Sequence, residues 1–138
     1  MDIKSLCTEP APSAEELIVV AEFVRATNAG ELASLRALFA LNAQVNDQLR
    51  NFWGIEEITS WLEKEIVDEQ VVLKLLRIKK HYEVVIASAE IRGAFETPRM
   101  PQPMTIDLNF TVHGSKIVRL LVLLVRDDIP EPEIRRVT

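Results

Sequence analysis

Tyr82-Glu83-Val84-Val85-Ile86-Ala87-Ser88-Ala89-Glu90-Ile91-Arg92-Gly93-Ala94-Phe95-Glu96 reads as a strand with two unlike faces. Val85, Ala87, Ala89, Ile91 and Phe95 fall on one side, and Ser88, Glu90, Arg92 and Glu96 on the other. This is the two-residue period of a half-buried strand. Residues 71–80, 104–113 and 116–126 are three further strand candidates, all rich in Val, Ile and Leu. Residues 97–103 contain three prolines, so they form a loop that cannot continue a ladder. His113-Gly114-Ser115 signals a tight hairpin between the last two strands. From Gln70 onward the chain therefore predicts an antiparallel meander.

Upstream of Gln70 the period is helical. Ser13 with Glu16 three residues on has the form of a capping box, and Leu17, Val20 or Ala21, Val24 and Asn28 follow at helical spacing, with Phe23 beside them. Gly30 supplies the left-handed residue that ends such a helix. A second, shorter helix places Leu32, Leu35, Leu38 and Phe39 on one face and closes at Asn42. Residues 43–53 predict a short strand pair, with Val45 and Asp47 on one face and Gln44 and Asn46 on the other. Gly54 opens a third helix, in which Ile55, Ile58, Leu62 and Ile66 recur every three or four residues and Trp61 lies alongside. Segregated helices followed by hairpins mean an α+β fold rather than a doubly wound sheet. The expected organisation is a flexible arm over residues 1–12, one domain over 13–126, and a charged, Pro-containing tail over 127–138.

At 138 residues the chain suits a single domain, and 48% apolar with 27% charged residues is an ordinary globular composition. A net charge of −5 argues against nucleic acid as a partner, because neutralising phosphates needs a clustered basic face. The one basic run, Arg77-Ile78-Lys79-Lys80-His81, reads as a solvated strand end. Cys7 is the single cysteine, so no disulfide forms within the chain, and a lone thiol suits a reducing, cytoplasmic setting. Without a His partner in sequence it reads as incidental rather than nucleophilic. No signal-peptide pattern or membrane-length apolar run is present, so no membrane partner is expected.

Three strings carry a family resemblance. Phe23-Val24-Arg25-Ala26-Thr27-Asn28-Ala29-Gly30-Glu31-Leu32 is similar to the end of the first helix in the nuclear transport factor 2-like superfamily, which includes ketosteroid isomerases and SnoaL-like polyketide cyclases. Leu38-Phe39-Ala40 through Val45-Asn46-Asp47 resembles its second helix running into the first strand. Trp53-Gly54-Ile55-Glu56-Glu57-Ile58 resembles the entry to its third helix. Gly114-Ser115-Lys116-Ile117-Val118 resembles, more weakly, its last hairpin. The resemblance spans about residues 14–126 and implies a cone: a strongly curved mixed or antiparallel sheet wrapped around three helices, with one apolar pocket at the wide end.

The resemblance also implies where chemistry would sit. Ketosteroid isomerases use an Asp base on the first strand, a Tyr on the first helix and a protonated Asp late in the sheet. The carboxylate moves a proton next to a carbonyl while two neutral donors stabilise the forming enolate, and an apolar site keeps one Asp protonated. Asp47 matches the position of the base; the alternative is a solvated Asp in a turn. Asp107 resembles the late donor, but it lies with Thr105, Asn109 and Thr111, opposite the apolar Ile106, Leu108, Phe110 and Val112. It serves the pocket only if that polar face looks inward. Phe23 and Leu62 stand where the family carries tyrosines, and with Trp53 and Leu124 they are the expected pocket lining. Trp61 reads as core. His81 and His113 lack ligand-type spacing to acids or to Cys7, so neither a metal nor a cofactor is expected.

The last strand is apolar on both sides, with Ile117, Leu121, Leu123 and Val125 on one and Val118, Leu120, Val122 and Leu124 on the other. A strand apolar on both faces is covered on both. That predicts a homodimer packed sheet to sheet; the alternative is that the tail folds back over that face. The expectation for function is a pocket for an apolar small molecule, with acid–base isomerase or cyclase chemistry on a carbonyl compound. The alternatives are a non-catalytic ligand-binding or dimerisation module and an interaction domain for another protein.

Overall fold

The computed structural model describes residues 2–100 and 103–125. A 3₁₀ turn, Ile3–Leu6, precedes α1 (Ala14–Ala29) and α2 (Leu32–Ala37); β1 (Phe39–Asp47) and β2 (Arg50–Trp53) then lead into α3 (Gly54–Trp61). A π-helical turn, Leu62–Val67, extends α3, and β3 (Val72–His81), β4 (Val84–Arg92), β5 (Met104–His113) and β6 (Lys116–Val125) complete the chain. The six strands form one sheet in the order β2-β1-β6-β5-β4-β3. Every neighbouring pair is antiparallel except β1 with β6, which is parallel. The architecture is an α+β cone with an open, mixed six-stranded sheet. The tail over residues 127–138 lies outside the described residues.

Local chemistry sets the helix ends. Glu16 N–H donates to Ser13 Oγ at 3.1 Å and Ser13 N–H donates to Glu16 Oε1 at 2.8 Å, so the capping box closes in both directions. At the other end Gly30 takes φ 69°, and Glu31 N–H returns to Ala26 O at 3.0 Å. A side chain strains at that φ, which is why glycine ends the helix here. The Asn28 amide then locks α1 to the sheet, accepting from Leu73 N–H at 2.7 Å and donating to Leu73 O at 3.0 Å.

The core lies between α1 and the concave face of the sheet. Val20, Phe23, Val45, Ile78, Val85, Phe110, Ile117 and Leu120 are almost fully buried, each contributing roughly 1.5–3 kcal/mol by leaving water. Ala87 and Ala89, also buried, leave room on β4 for the helical layer. Phe23 meets Phe110 edge-on at 5.4 Å and Phe39 at 6.4 Å between ring centroids.

Three sequence expectations change. The second helix stops at Ala37, not Asn42, because Phe39 is claimed by β6: it lies opposite Ile117, whose N–H donates to Leu38 O at 2.7 Å. A paired, buried strand outweighs the small helical preference of so short a segment. In β6 a bulge shifts the register between Thr111 and Val112, so Ile117 joins the inner set with Leu120, Val122 and Leu124 rather than the outer set. The N-terminal arm lies along the β3 edge. Cys7 bridges to Ile78, Thr8 N–H donates to Ile78 O at 3.0 Å, and Lys80 N–H donates to Pro10 O at 3.2 Å. The arm thereby covers an open sheet edge.

Lys80 points inward and pairs with Glu16 at 3.1 Å. Burial pushes the Glu16 carboxyl up, but the Ser13 N–H and then Lys80 outweigh it and hold it below its ordinary value. A carboxyl lowered on folding adds stability that is present above the unfolded value of about 4.3 and lost as pH falls through the folded value. Glu16→Gln should therefore cost about 1–2 kcal/mol at pH 7. Urea unfolding of both proteins at pH 7 and pH 3 should show that gap closing in acid.

Candidate functional site

The polar end of the domain is built by two segments that approach each other over the inner face. The first is the β1–β2 hairpin, whose two-residue turn carries φ 53° at Gln48 and 73° at Leu49. Both values lie in the left-handed region, where non-glycine residues store strain. The turn is held by Leu49 N–H donating to Asn46 Oδ1 at 3.0 Å and Gln48 N–H donating to Val122 O at 3.1 Å. The second segment is the π-helical turn, in which Asp68 N–H reaches back five residues to Glu63 O at 2.8 Å. Between them opens a cavity of about 360 Å³. That volume lies at the small end of the range for ligand pockets.

Its body is apolar. Phe23, Ile66, Val71, Leu73, Ile91, Phe95, Met104, Ile106, Leu108, Val122 and Leu124 line it, and its polar lining is Asp47, Gln48, Arg50, Lys64, Glu65 and Glu69, with Trp61 beside them. Asp47 faces inward because it lies opposite Val122 of β6, two residues on from buried Val45. Its side chain is 13% exposed. Trp61 Nε1–H donates to Asp47 Oδ2 at 2.9 Å, and Arg50 Nη2 donates to the same oxygen at 2.9 Å. Among the described residues no donor reaches Oδ1. One oxygen is thus anchored twice and the other is left for a ligand.

Arg50 is shared. Its Nη2 also donates to Glu65 Oε1 at 3.1 Å and its Nη1 to Glu65 Oε2 at 3.3 Å, which ties the hairpin to the π-helical turn. Those bonds are the largest influence holding the guanidinium above its ordinary value, against burial. The opposite rim is set by Gly93. A Cβ there would lie 2.8 Å from Glu69 O and 2.8 Å from the Phe95 ring, while Ala94 N–H donates to Glu69 O at 2.7 Å.

Of the residues named from sequence, Asp47, Phe23 and Leu124 line the cavity. Asp107 does not. It lies opposite Ser88 and Leu123 on the outer face and accepts from Ser88 Oγ at 2.5 Å, with the sheet between it and the pocket. The alternation of β5 decides this, since Ile106 and Leu108 take the inner positions. Trp53 is 60% exposed, because the hairpin register sets it against outward-facing Gln44; its neighbour Phe52 turns inward and packs on Trp61 at 6.1 Å. Leu62 is fully buried in the core and is not part of the lining. Arg50 and Glu65 were not singled out by sequence reasoning; Trp61, read there as core, is buried and also holds the Asp47 carboxylate. Asp47 and Arg50 flanking two turn residues are directly opposed across the hairpin, which is a readable charge pair. Nothing local points to Glu65.

No family model and no curated protein matches the chain. Solved structures do. A candidate polyketide cyclase from Sinorhizobium meliloti superposes with TM-score 0.67 at 22% identity, over 77% of this chain and 94% of that one. A candidate SnoaL-like polyketide cyclase from Jannaschia sp. CCS1 gives 0.66 at 11%, over 82% and 89%. A protein with a ketosteroid isomerase-like fold from Catenulispora acidiphila, solved with trimethylamine, gives 0.65 at 18%, over 76% and 83%. At these identities what is shared is the fold. No helix among the described residues is long and apolar enough to cross a membrane.

Gly93→Ala tests the rim. Because one of the atoms in the way is backbone, the substitution should cost about 1–3 kcal/mol, read as a fall in the urea midpoint.

Proposed function

We propose that this chain binds an apolar small molecule bearing a carbonyl group and that Asp47 transfers a proton on it, as in an isomerase or cyclase. The observation that carries the reading is the Asp47 carboxylate at the polar end of an apolar cavity, with Oδ2 anchored by Trp61 and Arg50 and Oδ1 open. In the step envisaged, Oδ1 takes a proton from the carbon beside the carbonyl and the C–H electron pair moves into the carbonyl as an enolate. Collapse of the enolate onto another carbon, with the proton returned or a ring closed, completes the cycle. Cyclase and isomerase-like neighbours of the same fold support this class of chemistry. The ligand trimethylamine in one neighbour supports occupancy of such a pocket by a small molecule.

A second reading, a non-catalytic binding module, is favoured by the absence of a hydroxyl donor among the described residues of the lining. Phe23 is buried where the isomerases place a tyrosine, and loss of one oxyanion donor typically costs about 10²–10³ in rate. A thermal-shift screen of apolar ketones and lactones distinguishes the readings. A ligand that is turned over should lose about 100-fold or more in rate on Asp47→Asn while still binding. Unchanged turnover would clear Asp47 of the role, and ligands that bind without reacting would leave the second reading standing.

The homodimer belongs to the same proposal. Leu121, Leu123 and Val125 lie on the outer face of β6, with Leu123 39% exposed, beside Asp107 and Asn109 of β5. An apolar strip in mid-sheet is the kind of surface that a second copy covers. Light scattering at micromolar concentration should give twice the chain mass, and Leu123→Lys should halve it; a monomer throughout would refute the dimer. The single thiol of Cys7 fits a cytoplasmic setting.

A further inference from the structure

Arg50 is divided between two carboxylates, and the division is unequal. The Glu65 carboxylate receives two bonds from its terminal nitrogens, at 3.1 and 3.3 Å, whereas the Asp47 carboxylate receives one, at 2.9 Å, and Nε donates to the Asp47 backbone oxygen at 3.3 Å. An arginine given wholly to Asp47 could fork across both carboxylate oxygens, which is the preferred geometry of such pairs. Here the fork is spent on Glu65. We propose that Glu65 is a positioning residue for Asp47: by claiming the arginine fork it confines Arg50 to Oδ2 and keeps Oδ1 free for a ligand. This inference rests on the reading of Asp47 as the working carboxylate and adds the residue that keeps its second oxygen open.

The charged surroundings are few enough for the effect to be readable. Arg50 of β2 and Trp61 of α3 touch Asp47 directly, and Glu65, Lys64 and Glu69 face the same cavity from the π-helical turn and the residues after it. β6 contributes only the apolar Val122 and Leu124. Glu65 therefore acts on Asp47 in two ways, by its own negative charge and by drawing off the guanidinium. The second is what leaves Oδ1 without a donor. A residue that served only as a strap across the mouth would alter stability on removal and leave Arg50 bonded to Oδ2 alone.

Crystal structures of Glu65→Gln and Arg50→Gln, set beside that of the unsubstituted protein, test the point without any ligand. In Glu65→Gln the guanidinium should turn to Asp47 and fork across Oδ1 and Oδ2, each within about 3.2 Å, and in Arg50→Gln Oδ2 should keep only the Trp61 indole. Both side chains are about half exposed, so the variants should fold. An Arg50 that still bonds Oδ2 alone in Glu65→Gln overturns the proposal, even if the melting temperature falls, since that pattern belongs to a strap. Turnover by Asp47→Asn bears on the proposed function alone, so the two ideas can fail separately.

Discussion

The parallel ladder between β1 and β6 is the contact on which the rest of the molecule depends. It joins the helical half of the chain to the meander, and strands so far apart in sequence meet only at a considerable cost in loop entropy. That cost is offset by burying Val45 beside Leu120 and Phe39 beside Ile117. The same ladder sets Asp47 opposite Val122, on the concave side. A shift of one residue along it would send Asp47 outward and bring Asn46 in, and the pocket would lose its central carboxylate.

The polar end of the cavity is a local departure from regular structure on both sides. Two successive left-handed residues, neither of them glycine, make the hairpin turn, and a π-helical turn replaces the end of α3. The turn carries a cost because neither residue is glycine, and π-helical turns occur often at functional sites. Here they bring Asp47, Arg50, Trp61 and Glu65 into one hydrogen-bonded group. The remainder of the lining is ordinary core, so the polar group is what distinguishes the pocket from a packing defect.

The two faces of the sheet divide the acids between them. Asp47 belongs to the inner face and its partners are an indole and a guanidinium; Asp107 belongs to the outer face and its partner is the Ser88 hydroxyl. Asp47 and Asp107 therefore do not converge on one pocket.

The α+β class, the helix starts at Ser13 and Gly54, the four long strands and the inward phase of β4 were all legible in the residues, because capping and alternation are local properties. The inward direction of Ile106 and Leu108, and with it the outward direction of Asp107, was already implied by the β5 pattern once the apolar face is taken as the inner one. What the sequence by itself could not decide was anything resting on register between distant strands. Phe39 leaves the helix for a partner 78 residues away, Ile117 changes face through a bulge, and Trp53 turns outward while Trp61 turns in. The pairing of Glu65 with Arg50 is of the same kind. Side-chain direction follows from backbone pairing, and pairing between segments far apart in the chain is settled by the packing of the whole domain.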